Sequence, residues 1–101
     1  MQFFAIAELS DRIKYDENPS LVHEEVRYAW ELHKSGFLRA INHRLDRRGA
    51  VLTLESDSVD HVREKLDVLP LVREGFLDIV SIIPVGPYTS YERLFRPESE
   101  D

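Results

Sequence analysis

The sequence contains no cysteine, which excludes a disulfide framework, a thiolate nucleophile and a cysteine-ligated metal site. Glycine is scarce, with four in 101 residues. None of them builds a phosphate-cradling loop or a Gly-x-Ser-x-Gly elbow. Long apolar runs are missing as well. The longest, residues 76–85, is interrupted by Asp78 and Ser81 and reaches half of the roughly 20 residues that a membrane span needs. Met1, Gln2, Phe3, Phe4 and Ala5 carry no basic charge ahead of the apolar run, so the start does not read as a signal peptide. The cytoplasm is the expected location. Basic residues are in deficit, 13 Lys and Arg against 19 Asp and Glu, for a net charge of −6. Glu98, Glu100 and Asp101 account for three of those negatives, beside Pro97 and Ser99 in a segment that reads as a frayed acidic tail. The body is therefore almost neutral and lacks the concentrated basic surface that binding to nucleic-acid phosphates requires. Arg44, Arg47 and Arg48 do cluster, but around a turn, where they read as a solvated hairpin tip. The four histidines, His23, His33, His43 and His61, show no metal-ligating spacing, and no metal or cofactor is expected.

The chain has the hydrophobic and charged content of an ordinary globular protein, and its length fits one domain of limited core size. Residues 3–9 are short, apolar and bounded by Ser10-Asp11, a strand signal. A polar link over 10–18 follows. Asn18-Pro19 then starts a helix, with Asn as N-cap and Pro at the first helical position. It should run to Ser35 and stop at Gly36. Strands over 37–45 and 50–55 are joined by Asp46-Arg47-Arg48-Gly49, a hairpin link. Ser56-Asp57-Ser58 caps a second helix with Val59, Val62, Leu66 and Leu69 on one face, which Pro70 ends. A last strand over 76–85 leads into an arm bearing Tyr88, Tyr91 and Phe95. We read residues 1–87 as the folded domain and 88–101 as a C-terminal arm and acidic tail.

The order βαββαβ specifies a ferredoxin-like α+β fold, a four-stranded antiparallel sheet with two helices on one face. A half-wet antiparallel sheet should alternate apolar and polar residues. Here Phe3, Ala5 and Ala7 oppose Phe4 and Ile6, and Val80 and Ile82 oppose Leu77, Ile79 and Ile83. A sheet apolar on both faces needs a second cover, and a second copy of the chain is the obvious one, so a homo-oligomer is expected.

On the first helix, at about 100° per residue, Leu21, Val22, Val26, Ala29 and Leu32 form the inward stripe. Glu25 falls between Leu32 and Ala29 in angle, and His33 between Val22 and Val26; His23 lies at the boundary beside Trp30. A carboxylate in such a stripe has its pKa raised by burial and is suited to general acid–base work. It can also snorkel or pair with an arginine of the sheet. His33 gains simply from its place at the helix C-terminus. On the second strand, strict alternation puts Arg39 and His43 on one face with Phe37, Ile41 and Leu45. Arg39 can hold an anionic substrate or pair with Glu25.

Leu69-Pro70-Leu71, Leu77-Asp78-Ile79 and an acidic residue eleven positions before Gly36 resemble the muconolactone isomerase family. Pro70-x-Val72-x-x-Gly75 and Val80-Ser81-x-x-Pro84 resemble the YCII-related proteins, another branch of the dimeric α+β barrels. The resemblance implies a cofactor-free proton shift on a lactone or other anionic carbonyl compound, in aromatic-compound catabolism, within homo-oligomers whose sheets pack face to face. It maps catalytic roles to Glu25 and Arg39, and His23, Tyr28, His33 and His43 are substrate-binding candidates. Val26 stands where the family has a basic residue, and Leu38-Arg39-Ala40-Ile41-Asn42 replaces its aromatic-rich second strand. Against this enzymatic reading stands a non-catalytic binding or assembly module of the same fold. A cofactor-free oxygenase shares the scaffold. An RNA-binding domain of this order would expose aromatics on its third strand, and residues 50–55 contain none. No nucleic-acid or membrane partner is expected.

Overall fold

The computed structural model describes residues 1–97; the acidic tail residues Glu98, Glu100 and Asp101 lie outside them. The elements are β1 (Gln2–Leu9), α1 (Pro19–Lys34), β2 (Leu38–His43), β3 (Gly49–Glu55), α2 (Val59–Asp67), the single-turn α3 (Pro70–Arg73) and β4 (Leu77–Val85). Short 3₁₀ segments occupy Tyr15–Glu17 and Thr89–Phe95. The sheet is antiparallel throughout, in the order β2-β3-β1-β4, which is the ferredoxin-like arrangement. α1 lies against β2, and α2 and α3 against β4.

Phe3, Ala5 and Ala7 of β1, Leu52 and Leu54 of β3 and Leu38 of β2 form the sheet side of the core. Leu32, Val62, Leu66 and Leu69 meet them from the helical layer. Two alanines at the centre of β1 leave room for the helices to approach closely, and leucines fill the space above them.

Strict alternation fails in two strands. The register slips at Arg39, so Leu38 faces Leu54 and Ile41 faces Leu52, both positions on the helix side. Arg39 is the extra residue and does not share the phase of Ile41 and His43, which corrects the face assigned to it by counting. A second slip at Val80 puts Ile79 opposite Ala7 and Ile82 opposite Ala5, and moves Ile83 to the open face opposite Phe4. Bulges insert one residue and reverse the side-chain phase beyond it; nothing in a run of apolar residues marks where that happens.

The ends of α1 separate into one expected device and one unexpected. Gly36, at φ +86°, follows the helix in the left-handed region, as a C-terminal glycine should. Asn18 precedes Pro19 but caps nothing with its side chain, which donates instead to the Lys14 carbonyl at 2.9 Å. Ser58 does cap α2, its Oγ accepting from the His61 amide at 3.1 Å. Pro70 ends the α2 region and also opens α3, because its fixed φ suits a first helical position.

The link over 10–18 is anchored. Ile13 within it is fully buried. The hairpin arginines hold the same region down. Arg48 donates to the Ser10 and Ile13 carbonyls at 3.1 and 2.8 Å, and Arg47 reaches Glu8 at 3.0 Å. Arg44 forms a two-pronged pair with Asp46 at 3.0 and 2.7 Å. The hairpin tip is exposed, as a solvated turn should be, while Arg47 and Arg48 reach back to β1 and the β1–α1 link.

Candidate functional site

Glu25 sits midway along α1, half-buried, with its Oε1 accepting a hydrogen bond from the Leu71 amide at 3.0 Å. Leu71 is in the first turn of α3, where a backbone N–H has no partner within the helix. The sequence places Glu25 there because its wheel position points inward, and Pro70 starts α3 beneath it. Burial pushes the carboxyl pKa above its ordinary value, and the Leu71 hydrogen bond offsets part of that rise. The group thus keeps an acceptor for its charged form while being partly dried, the environment that brings a carboxyl towards neutral pH.

Tyr15 lies within electrostatic reach of Glu25. Its phenol pKa is raised by burial first and by the nearby Glu25 charge second, while Arg48 pulls it down. The Arg48 guanidinium carbon lies 6.0 Å from the centre of the Tyr15 ring. Tyr15 also lines an open groove of about 510 Å³ together with Asp16, Pro19, Val22, His23 and Val26. Val26 also lines a second groove of about 320 Å³ between α1 and β2, walled by Ala29, Trp30, His33, Leu38 and Ile41. The two grooves lie along α1 and have Val26 in common; Tyr15 lines the first, while Glu25 and Arg48 line neither.

The sequence-derived candidates divide among several places. His23 lines the first groove beside Tyr15. His33 lines the second, stacked on Trp30 with centroids 5.4 Å apart, and its Nδ1–H donates to the Leu38 carbonyl at 3.2 Å. His43 is exposed at the end of β2, opposite Ala50. Tyr28 turns the other way, its hydroxyl donating to the Lys65 carbonyl at 3.5 Å, and burial raises its pKa. Arg39 is not beside Glu25. Its Nε donates to the Gly36 carbonyl at 2.7 Å, and no ion pair joins it to Glu25 among the described residues. It lines a separate cavity of about 470 Å³ with Phe37, Glu55, Ser56, His61 and Lys65. There the buried Ser56 shares a 2.6 Å hydrogen bond with His61 Nδ1. No group of three His, Cys, Asp or Glu side chains among the described residues is placed to hold a metal ion.

Tyr15 and Arg48 escape a reading of the sequence because both belong to segments that look polar. The available signal is Ile13-x-Tyr15, two large side chains in an otherwise charged link, which marks a link that is tied to the body.

The chain combines a ferredoxin-like α+β topology with apolar grooves along α1 and a half-buried carboxyl whose pKa is raised. No protein-family model matches the chain, and no curated protein matches it in sequence. Solved structures do match in fold. Muconolactone isomerase superposes with a TM-score of 0.72 at 20% identity, over 89% of this chain and 93% of that one. The 5-chloro-2-hydroxyhydroquinone dehydrochlorinase of Burkholderia phenoliruptrix AC1100, in complex with 2,5-dihydroxybenzoquinone, superposes with a TM-score of 0.71 at 15% identity, over 89% and 98%. The chain therefore shares the fold of muconolactone isomerase, a ferredoxin-like α+β fold. No helix among the described residues is long and apolar enough to cross a membrane.

Proposed function

We propose that the chain is a cofactor-independent isomerase or lyase that moves a proton next to the carbonyl of a small ring compound, with Glu25 as the base. The observation that carries this reading is the half-buried Glu25 carboxyl, raised in pKa by burial and near enough for its charge to act on Tyr15, which lines an open groove. A proton beside a carbonyl is removed efficiently by a base poised near the working pH, with a donor or cation for the developing enolate. Tyr15 is suited to the donor role and Arg48 to the cation role. Arg39 keeps an anion-holding role in its own cavity. His23 and His33 are positioned to contact a ring in the grooves along α1.

The two structures of like fold give this reading its chemical direction, since one is an isomerase and the other a dehydrochlorinase of a hydroxylated ring. Unsaturated lactones and hydroxylated or halogenated ring compounds are the substrate classes, consistent with cytoplasmic breakdown of aromatic compounds. Assembly of copies through the open sheet face, where Phe4 and Ile83 stand side by side, completes the proposal. The competing reading is a binding or assembly module in which Glu25 only holds the first turn of α3, favoured by the same Leu71 hydrogen bond. A screen of both compound classes, followed by ultraviolet absorbance and by solvent deuterium entering the carbon next to the carbonyl, separates them. Exchange or turnover in either class is expected; a folded protein inert towards both overturns the enzymatic reading.

A further inference from the structure

We propose that the cavity between the start of β2, the end of β3 and the first turns of α2 binds a small oxyanion, the carboxylate or phosphate group of a small molecule, through Arg39, His61 and Lys65. The site extends the anion-holding role given to Arg39 and needs no reaction at Glu25. In a chain of net charge −6, two cations and an imidazole line one cavity of about 470 Å³. Arg39 donates from Nε to the Gly36 carbonyl at 2.7 Å, which fixes its guanidinium plane. Its charge helps to lower the Glu55 pKa, yet its two terminal nitrogens make no hydrogen bond or ion pair among the described residues. Lys65 is bonded through its backbone carbonyl alone, which accepts from Tyr28, so its ammonium is likewise without a partner among the described residues.

The sequence builds this arrangement locally. The slip in β2 makes Arg39 the extra residue, and a bulge re-aims the side chain it carries. His61 and Lys65 are four apart on α2 and so share one face of it. Ser56, only 7% exposed, holds the imidazole from behind. Its single hydroxyl proton has two acceptors in reach, His61 Nδ1 at 2.6 Å and the Ser58 carbonyl at 3.3 Å. The shorter contact takes it. The ring then carries its own proton on Nε2, which donates to nothing among the described residues. Phe37 packs edge-on against the same ring, centroids 5.7 Å apart. Two carboxylates also line the cavity. Glu55 is occupied by the Met1 ammonium at 2.8 Å, which leaves the exposed Asp57 as the one acid there with no partner among the described residues. Donors therefore outnumber acceptors, and two of them are charged, the pattern that charge-assisted recognition of a carboxylate or phosphate requires.

Calorimetric titration of the natural chain with inorganic phosphate and with benzoate, each at fixed ionic strength, tests the site, and amide NMR shifts locate it. Saturable binding in the millimolar range or tighter is expected, with the signals of Gly36, Ser56 and His61 moving. Phosphate alone would assign a phosphate group, benzoate alone a carboxylate, and both in competition the shared oxyanion chemistry; each supports the proposal. Arg39→Gln and Lys65→Gln alter exposed side chains, and circular dichroism checks that the fold is kept. Each should weaken binding about tenfold or more, the usual size for a hydrogen bond to a charged group. Arg63→Gln removes an equal charge from the other side of α2 and should leave binding unchanged. No substrate is present, so the outcome does not depend on Glu25 as a base. Four results overturn the proposal: neither probe saturates, the shifted signals lie elsewhere, Arg39→Gln and Lys65→Gln bind as the natural chain does, or Arg63→Gln weakens binding as much as they do.

Discussion

Glu25 is held between two opposing influences, burial that favours its neutral form and the Leu71 amide that favours its charge. Burial wins, so its folded pKa lies above the 4.5 of an ordinary glutamate. The folded state therefore binds this proton more tightly than the unfolded chain does. The stability contributed by the group is fully present below the ordinary value and is lost as pH rises through the folded value. Glu25→Gln keeps the volume and an oxygen to accept from Leu71, and it removes the titration. Thermal melts of the two proteins between about pH 4 and about pH 8 should converge at the acid end and separate in favour of the glutamine variant as pH rises. Parallel curves would mean that burial leaves this carboxyl unperturbed. The inward place of Glu25 was legible in the helical wheel, because a helix fixes side-chain angles by sequence spacing alone. Its partner was not. The guess of Arg39 assumed unbroken alternation along β2, and the slip at Arg39 removed that assumption.

At the scale of elements, the order of strands and helices followed from periodicity, the hairpin link and the residues Gly36, Ser58 and Pro70. Each of these acts over a few residues, which is why sequence reveals them. The anchoring of the β1–α1 link is long-range and was hidden. It depends on Ile13 reaching the core and on Arg48 reaching back from the hairpin. Ile13→Ala should cost about 2–5 kcal/mol in chemical denaturation, the range for truncating a fully buried aliphatic side chain. A loss of only a few tenths would show that the link is loose in solution. The hairpin has its own requirement. Gly49 adopts φ +152°, and a Cβ there would collide with the Ala7 carbonyl oxygen, backbone that cannot yield without opening the β1–β3 pairing. Gly49→Ala should therefore destabilise by more than the roughly 1 kcal/mol usual for a replaced glycine, again read by denaturant midpoint.

For the whole molecule, the open sheet face and the grooves along α1 are apolar surfaces that the described residues of one chain leave uncovered. Apolar residues on both faces of the strands pointed to the first before any coordinates, although the slip at Val80 exchanged the sides of the residues after it. Phe4 and Ile83 are neighbours on that face and partly exposed. Ile83→Asp places a charge where a second sheet would pack, and it should shift the assembly to smaller species in sedimentation while leaving the circular dichroism of the single chain unchanged. An assembly of unaltered size would place the contact elsewhere.

The proposed activity depends on Glu25 acting as a base, and one comparison of two proteins tests that role. With a substrate from the lactone or hydroxylated-ring classes, solvent-deuterium incorporation per folded molecule is measured for the natural chain and for Glu25→Gln. Removal of a general base should lower the rate by about a hundredfold or more, in a variant at least as stable at neutral pH as the natural chain. A glutamine variant that is destabilised yet exchanges deuterium at the natural rate per folded molecule would contradict the account and leave Glu25 as the anchor of α3.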